Sequence, residues 1–294
     1  MNALDSHSYL SAVGFRKYKG TKEWNRLITQ VIEEPTEKYI AEEKGEKIAF
    51  EYYKAYAERV GLIVRGTLDE KEQILVKTFD PIIESKYMMD VLEVEVMEEE
   101  EDIHYAYCEE EKTGTEIVFH LQNVLDYHDV EELEHTTIEG VKIVGLGIEG
   151  KIVLPVEKDE VESAIDAEEE EWYWELVKRA REGDEEAAEL LDIEAEETAD
   201  MIEERLQYED FLTIVEGYFL PFKDIDTTYS ILGMIKEIEE IINRETGEKL
   251  YWLYIDCMGM PFELCINEQD LTGIPLVGMR FIGLCWVQGQ IVFS

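Results

Sequence analysis

The chain has 294 residues, 45% of them hydrophobic, with 70 Asp and Glu against 27 Lys and Arg for a net charge of −43. That apolar content supports one or two packed cores and argues against a disordered chain. The charge repels phosphate backbones and anionic lipid surfaces, so neither nucleic acid nor membrane is an expected partner.

The densest basic group, Arg16, Lys17, Lys19, Lys22 and Arg26, reads as local balance. A helix is expected from Lys22 to about Glu33, capped by Thr21 and ended by Pro35, with Trp24, Leu27, Ile28, Val31 and Ile32 on one face. Strand-like runs follow at 47–56, 59–68 and 73–82. In 89–97, Met89, Val91, Glu93 and Glu95 share one face, and Leu92, Val94 and Val96 are offset from it. Thr113-Gly114 reads as a hairpin turn between two further strands, and 141–156 closes this part with more strand signal. Residues 1–156 are therefore expected to form an N-terminal α+β domain.

Residues 157–206 differ in kind, with 22 acids and 5 basic residues in 50 positions. They are rich in Glu and Ala, which favour helix. Trp172 and Leu176 are spaced i,i+4, and Gly183-Asp184 breaks the pattern and caps a second helix carrying Ala187, Leu190 and Leu191. A third helix is expected near Glu196–Leu206. This is an acidic helical connector, and its run Glu168, Glu169, Glu170 and Glu171 is the candidate surface for a partner.

Residues 207–294 read as β. A long strand over 229–242 turns at Glu245-Thr246-Gly247-Glu248, returns over 249–257, turns again at Gly259–Pro261 and ends in a long segment from Val277 to Phe293. Glycines at 278, 283 and 289 permit bending at a barrel corner. The expectation is a small β-barrel-like domain or a curled sheet, with an OB-like barrel as one form of it, and the fold class overall is α+β.

The chemical motifs are weak. Gly145-Leu146-Gly147-Ile148-Glu149-Gly150 matches the dinucleotide pattern, but Lys151–Pro155 is β-branched and ends in proline where a helix is required. It reads as a bent strand, so no cofactor is expected. His120, His128 and His135 are spaced too widely for a compact zinc site. Cys257, Cys265 and Cys285 lack a histidine after His135, and alternation puts Cys265 on the face opposite Cys257. The acidic runs Glu98–Asp102, Glu109–Glu111 and Glu168–Glu171 fit no EF-hand loop. No metal is expected. The aromatics of the C-terminal part lie among too few cations for base stacking and read as core. No serine or cysteine nucleophile motif is present.

Certain residues resemble a family of uncharacterised proteins from anaerobic Gram-positive bacteria, known only as a domain of unknown function. They are His7-Ser8-Tyr9-Leu10 with Gly14-Phe15, Leu121-Gln122-Asn123, Gly150-Lys151-Ile152-Val153-Leu154-Pro155, and Gly183-Asp184-Glu185-Glu186-Ala187. Tyr218-Phe219 with Pro221 and Trp286-Val287-Gln288-Gly289 complete the set. The resemblance covers nearly the whole chain, implies a cytoplasmic bacterial protein and carries over no active site. The absence of a secretory start, the lack of any apolar run near the 20 residues a bilayer requires, and four unpaired-looking cysteines also favour the cytoplasm. The leading functional expectation is a non-catalytic binding or scaffolding protein whose acidic surface steers a basic protein partner. The alternative is a carboxylate-based hydrolase using a divalent metal or none.

Overall fold

The computed structural model describes residues 6–42, 48–68, 73–100, 103–131, 137–156, 160–222 and 227–294. Lys47, Asp102, Glu132, Glu134, His135, Glu157 and Lys223 lie outside the described residues.

Alternating apolar residues build a four-stranded antiparallel meander of β1 (Glu37–Glu42), β2 (Ile48–Ala57), β3 (Val60–Leu68) and β4 (Ile74–Ile83). One face collects Phe50, Tyr52, Leu62, Val64, Phe79 and Ile83. It is packed by α1 (Thr21–Glu33) through Leu27 and Val31, and by a 3-10 helix (Ser6–Val13) through Leu10 and Val13. Helix α1 starts at Thr21 with Gly20 in the cap position and no side-chain cap bond, so Thr21 is its first residue and not its cap.

The second sheet has ten strands. From the first half of the chain come β5 (Val91–Glu100), β6 (Ile103–Glu110), β7 (Glu116–Leu121) and, after α2 (Val124–Glu131), β8 (Ile138–Val153). From the second half come β9 (Tyr218–Pro221), β10 (Thr228–Ile242), β11 (Lys249–Cys257), β12 (Met260–Asn267), the short β13 (Leu271–Thr272) and β14 (Arg280–Phe293). Strand β14 pairs antiparallel with β8 along nearly its whole length, and also with β10. Strands β10, β11 and β12 follow as an antiparallel meander. Strand β12 meets β8 in parallel at three positions, Glu263↔Val144, Leu264↔Gly145 and Cys265↔Leu146. The strands thus form a partial ring, and the fold is α+β. The C-terminal part is β-rich as expected, but its strands form a partial ring that also draws on the first half of the chain. The ring takes β8 from before the acidic helices, and β7 also pairs with β14.

Two cores result. The inward faces of the ring, with β5–β7, enclose Phe119, Leu253, Ile255, Phe262, Leu264 and Phe281. The outward face supplies Trp252, Cys265, Leu146 and Trp286 to the core under the meander. The glycines of β8 make the ring tight. A Cβ on Gly147 would sit 2.7 Å from Cβ of Ile266, and one on Gly150 would sit 2.3 Å from the Phe281 ring. Strand, not helix, surrounds Gly145, Gly147 and Gly150, as the bent-strand reading requires.

Local phase errors in the sequence are absorbed by irregular backbone. The register of β5 against β6 shifts between Val91 and Val94, which lets Val91, Val94 and Val96 pack against the same core and leaves Leu92 exposed. The turn after β11 is Met258-Gly259, with φ of 56° and 84°. Both residues occupy the left-handed region that a two-residue hairpin needs. Pro261 lies inside β12 opposite Asp256, so the turn falls just before the expected place.

Candidate functional site

The acidic segment folds as a helical hairpin of α3 (Glu160–Arg181) and α4 (Glu185–Arg205), followed by the short α5 (Phe211–Ile214). Residues 185–205 contain no glycine or proline. Nothing breaks the helix near residue 196, so the third helix expected there is the second half of α4. Gly183, at φ 93°, ends α3. Asp184 then caps α4: one carboxylate oxygen accepts from the amides of Glu186 (3.1 Å) and Ala187 (3.2 Å). The other accepts from Nη2 (2.6 Å) and Nε (2.9 Å) of Arg179. The Arg179 hydrogen bond holds the Asp184 carboxyl below its usual range. Lys178, Arg179 and Arg181 in the last turn of α3 and Glu185 and Glu186 in the first turn of α4 each complement their helix end.

The hairpin is held to the sheet near its bend. Trp174 packs so closely on Gly259 that a Cβ there would lie 2.6 Å from its ring. The ammonium of Lys112 stands 5.0 Å from the Trp174 ring centroid. Arg181 pairs with Glu109 at 3.2 Å and donates to the carbonyl of Glu111. After α4, Arg280 on β14 ties α5 to the ring by donating to the carbonyls of Val215 (2.7 Å), Leu212 (2.5 Å) and Leu154 (2.8 Å). Burial lowers the pKa of this guanidinium.

Beyond the bend, α4 carries a face that the described residues do not cover. Ala187 is its one buried residue. Leu191, Glu194 and Ile202 are half-buried, whereas Leu190, Ile193 and Met201 are 37%, 51% and 52% exposed. At about 100° per residue these three fall within an arc of about 80°. Glu189, Asp192, Glu196, Asp200 and Glu203, all exposed, line one side of that arc, and Glu197 sits within it. On α3, Trp172 and Tyr173 are also exposed. The predicted partner residues Glu168–Glu171 lie on α3, with Glu169 and Glu171 exposed. The side chains of Glu168 and Glu170 fall outside the described residues. Sequence reasoning missed the stripe because Leu190 at helical spacing from Ala187 looks like a packing residue.

Two buried polar clusters stand elsewhere. Arg65 on β3 donates through Nε to Glu51 (2.6 Å), through Nη1 to Asp80 (3.4 Å) and through Nη2 to the carbonyl of Gln122. The amide of Gln122 bridges the carbonyl of Ile83 (2.9 Å) and Gln288 (2.8 Å), and Gln288 donates to the carbonyl of Pro81 (2.7 Å). Two carbonyls on β4 thereby find donors in Gln122, just after β7, and in Gln288 on β14. His120 lies beside this cluster, with its ring 5.1 Å from that of Trp286. Burial lowers its pKa to about 4; Arg65 and His104 push the same way and Asp80 opposes them. In the other cluster, the buried Glu263 accepts from Ser85 Oγ (2.6 Å), the amides of Lys86 (2.9 Å) and Tyr87 (2.7 Å), and Trp252 Nε1 (2.8 Å). Four donors saturate this carboxylate, which pins the segment after β4 to β12.

Cys257 and Cys285 face the ring interior and Cys265 the other core, so the three do not converge. All four thiols are free and buried, and desolvation raises each, Cys108 and Cys265 to about 12. Thiols so held are poor nucleophiles at neutral pH. His120 lies on β7 and His128 on α2. Among the described residues no group of three or more His, Cys, Asp or Glu is placed to hold a metal ion, and no helix is long and apolar enough to cross a membrane.

A family model described as "Domain of unknown function, E. rectale Gene description (DUF3881)" matches residues 10–289, and the chain belongs to that bacterial family. No curated protein and no solved structure matches the chain.

Proposed function

From a member of a family with no assigned function, we propose a non-catalytic protein-binding or scaffolding protein that engages a basic partner through α3 and α4. The carrying observation is the stripe of Leu190, Ile193 and Met201, exposed beside a row of carboxylates on a helix with one buried residue. Apolar area supplies contact, and the surrounding charge supplies long-range steering and selects against acidic surfaces. The partial ring is the rigid platform on which the hairpin stands. We place the protein in the cytoplasm, where four free thiols stay reduced.

The test compares the native chain with a variant carrying Lys at positions 168, 169, 170 and 171, each immobilised and exposed to cell lysate at about 50 mM and about 300 mM salt. A basic protein retained at the lower salt by the native chain and lost by the variant is the expected result. Absence of any salt-sensitive partner would overturn the proposal.

Of the groups that the alternative, a carboxylate-based hydrolase with or without a divalent metal, could use, the buried cluster offers the carboxylate of Asp80, whose charge acts on the buried His120 ring. A general base works best with a pKa near the working pH. A ring held near 4 is a weak base at neutral pH, so the binding reading is the better supported.

A further inference from the structure

We infer that the occupant of the exposed stripe on α4 is a Lys/Arg-rich amphipathic helix of the partner, laid along α4 over Leu190, Ile193 and Met201. This rests on the protein-binding reading and adds the partner's chemistry to it. From Leu190 to Met201 is eleven residues, or about 16 Å of helix and three turns. That length suits a partner helix of about 12–15 residues, with apolar anchors repeating every three or four positions.

The charge pattern selects the occupant. Glu189, Asp192, Glu196, Asp200 and Glu203 form one border of the stripe, and Glu197 interrupts it between Ile193 and Met201. An apolar helix without cations would leave Glu197 desolvated and unpaired, which is costly. A Lys or Arg reaching across from the partner neutralises it, with the alkyl stem of that side chain packed on Ile193 or Met201. A second copy of this chain fits poorly, because it would bring α4 carboxylates against α4 carboxylates in a chain of net charge −43. Anionic lipid is disfavoured for the same reason. Leu191 and Ile202 are half-buried and project from other sides of α4 than the stripe.

Two synthetic peptides of about 18 residues, both made of Leu and Lys in one composition, provide the probe. In one, Leu recurs at i, i+3, i+4 and i+7; in the other the order is scrambled so that Leu is spread around the helix. Binding to the full chain is read by fluorescence anisotropy of the labelled peptide at about 50 mM and about 300 mM salt. The ordered peptide is expected to bind at least about tenfold more tightly than the scrambled one, an advantage of about 1.4 kcal/mol. The advantage is expected to survive at the higher salt and to vanish in the double variant Ile193→Asp, Met201→Asp. Both positions are solvent-exposed, and unchanged helical circular dichroism checks that the variant folds. Equal affinity for the two peptides, unaffected by the double variant, would overturn the helix inference and leave the basic-partner reading standing. No binding of either peptide at the lower salt would remove both.

Discussion

Acidification should weaken the fold through His120, and a non-titrating replacement should remove that part of the effect. The ring is buried on β7 between Trp286 and Tyr105, with centroids 5.1 Å and 6.0 Å away. Burial brings its pKa to about 4 against an ordinary 6.5. The native state resists the proton that the unfolded chain accepts readily. Stability from this residue is therefore complete above about pH 6.5 and is lost as the pH falls toward 4. At about 1.36 kcal/mol per unit, the whole loss is about 3 kcal/mol, of which about 2 kcal/mol falls between pH 7 and pH 5. Urea unfolding of the native chain and of His120→Gln at both pH values isolates the effect, because the many carboxylates contribute equally to both chains. The native chain is expected to lose about 2 kcal/mol more than the variant over this interval. Equal pH dependence within about 0.5 kcal/mol would refute the reasoning.

Glu263→Gln puts an amide where four donors converge, so at least one buried donor loses its acceptor, at about 1–3 kcal/mol each. Faster hydrogen exchange at the Lys86 and Tyr87 amides should accompany the lower urea midpoint, and an unchanged midpoint would show that Glu263 does not pin that segment. Gly147→Ala places a methyl 2.7 Å from Cβ of Ile266, and overpacking of this kind costs about 1–3 kcal/mol. A neutral or stabilising outcome in denaturant titration would mean that β8 and β12 are less tightly apposed than described.

Several elements were legible in the sequence for identifiable reasons. The apolar spacing of Leu27 and Val31 with Pro35 beyond them marks α1, and Gly183-Asp184 marks the bend between α3 and α4. Gly247, at φ 72°, marks the β10–β11 turn. Lys151–Pro155, β-branched and closed by proline, marks the glycines of β8 as strand and not as the turn before a helix. Other features had no local signal. The slip in β5 is settled by pairing with β6. The buried partners of Arg65 and Glu263 come from as far as 178 positions away, and a chain with 70 acids offers no way to choose them in advance. Exposure of Leu190, Ile193 and Met201 was equally hidden, since periodicity marks an apolar face without saying whether anything covers it.

The class of fold and the position of the acidic hairpin follow from local sequence, because propensity and turn chemistry act over a few residues. That β8 enters the partial ring from before the hairpin, and that α4 stands with one side against α3 and another in solvent, follows from contacts across the whole fold. Strand partners and burial depend on which surfaces meet, and residues far apart in the chain settle that together.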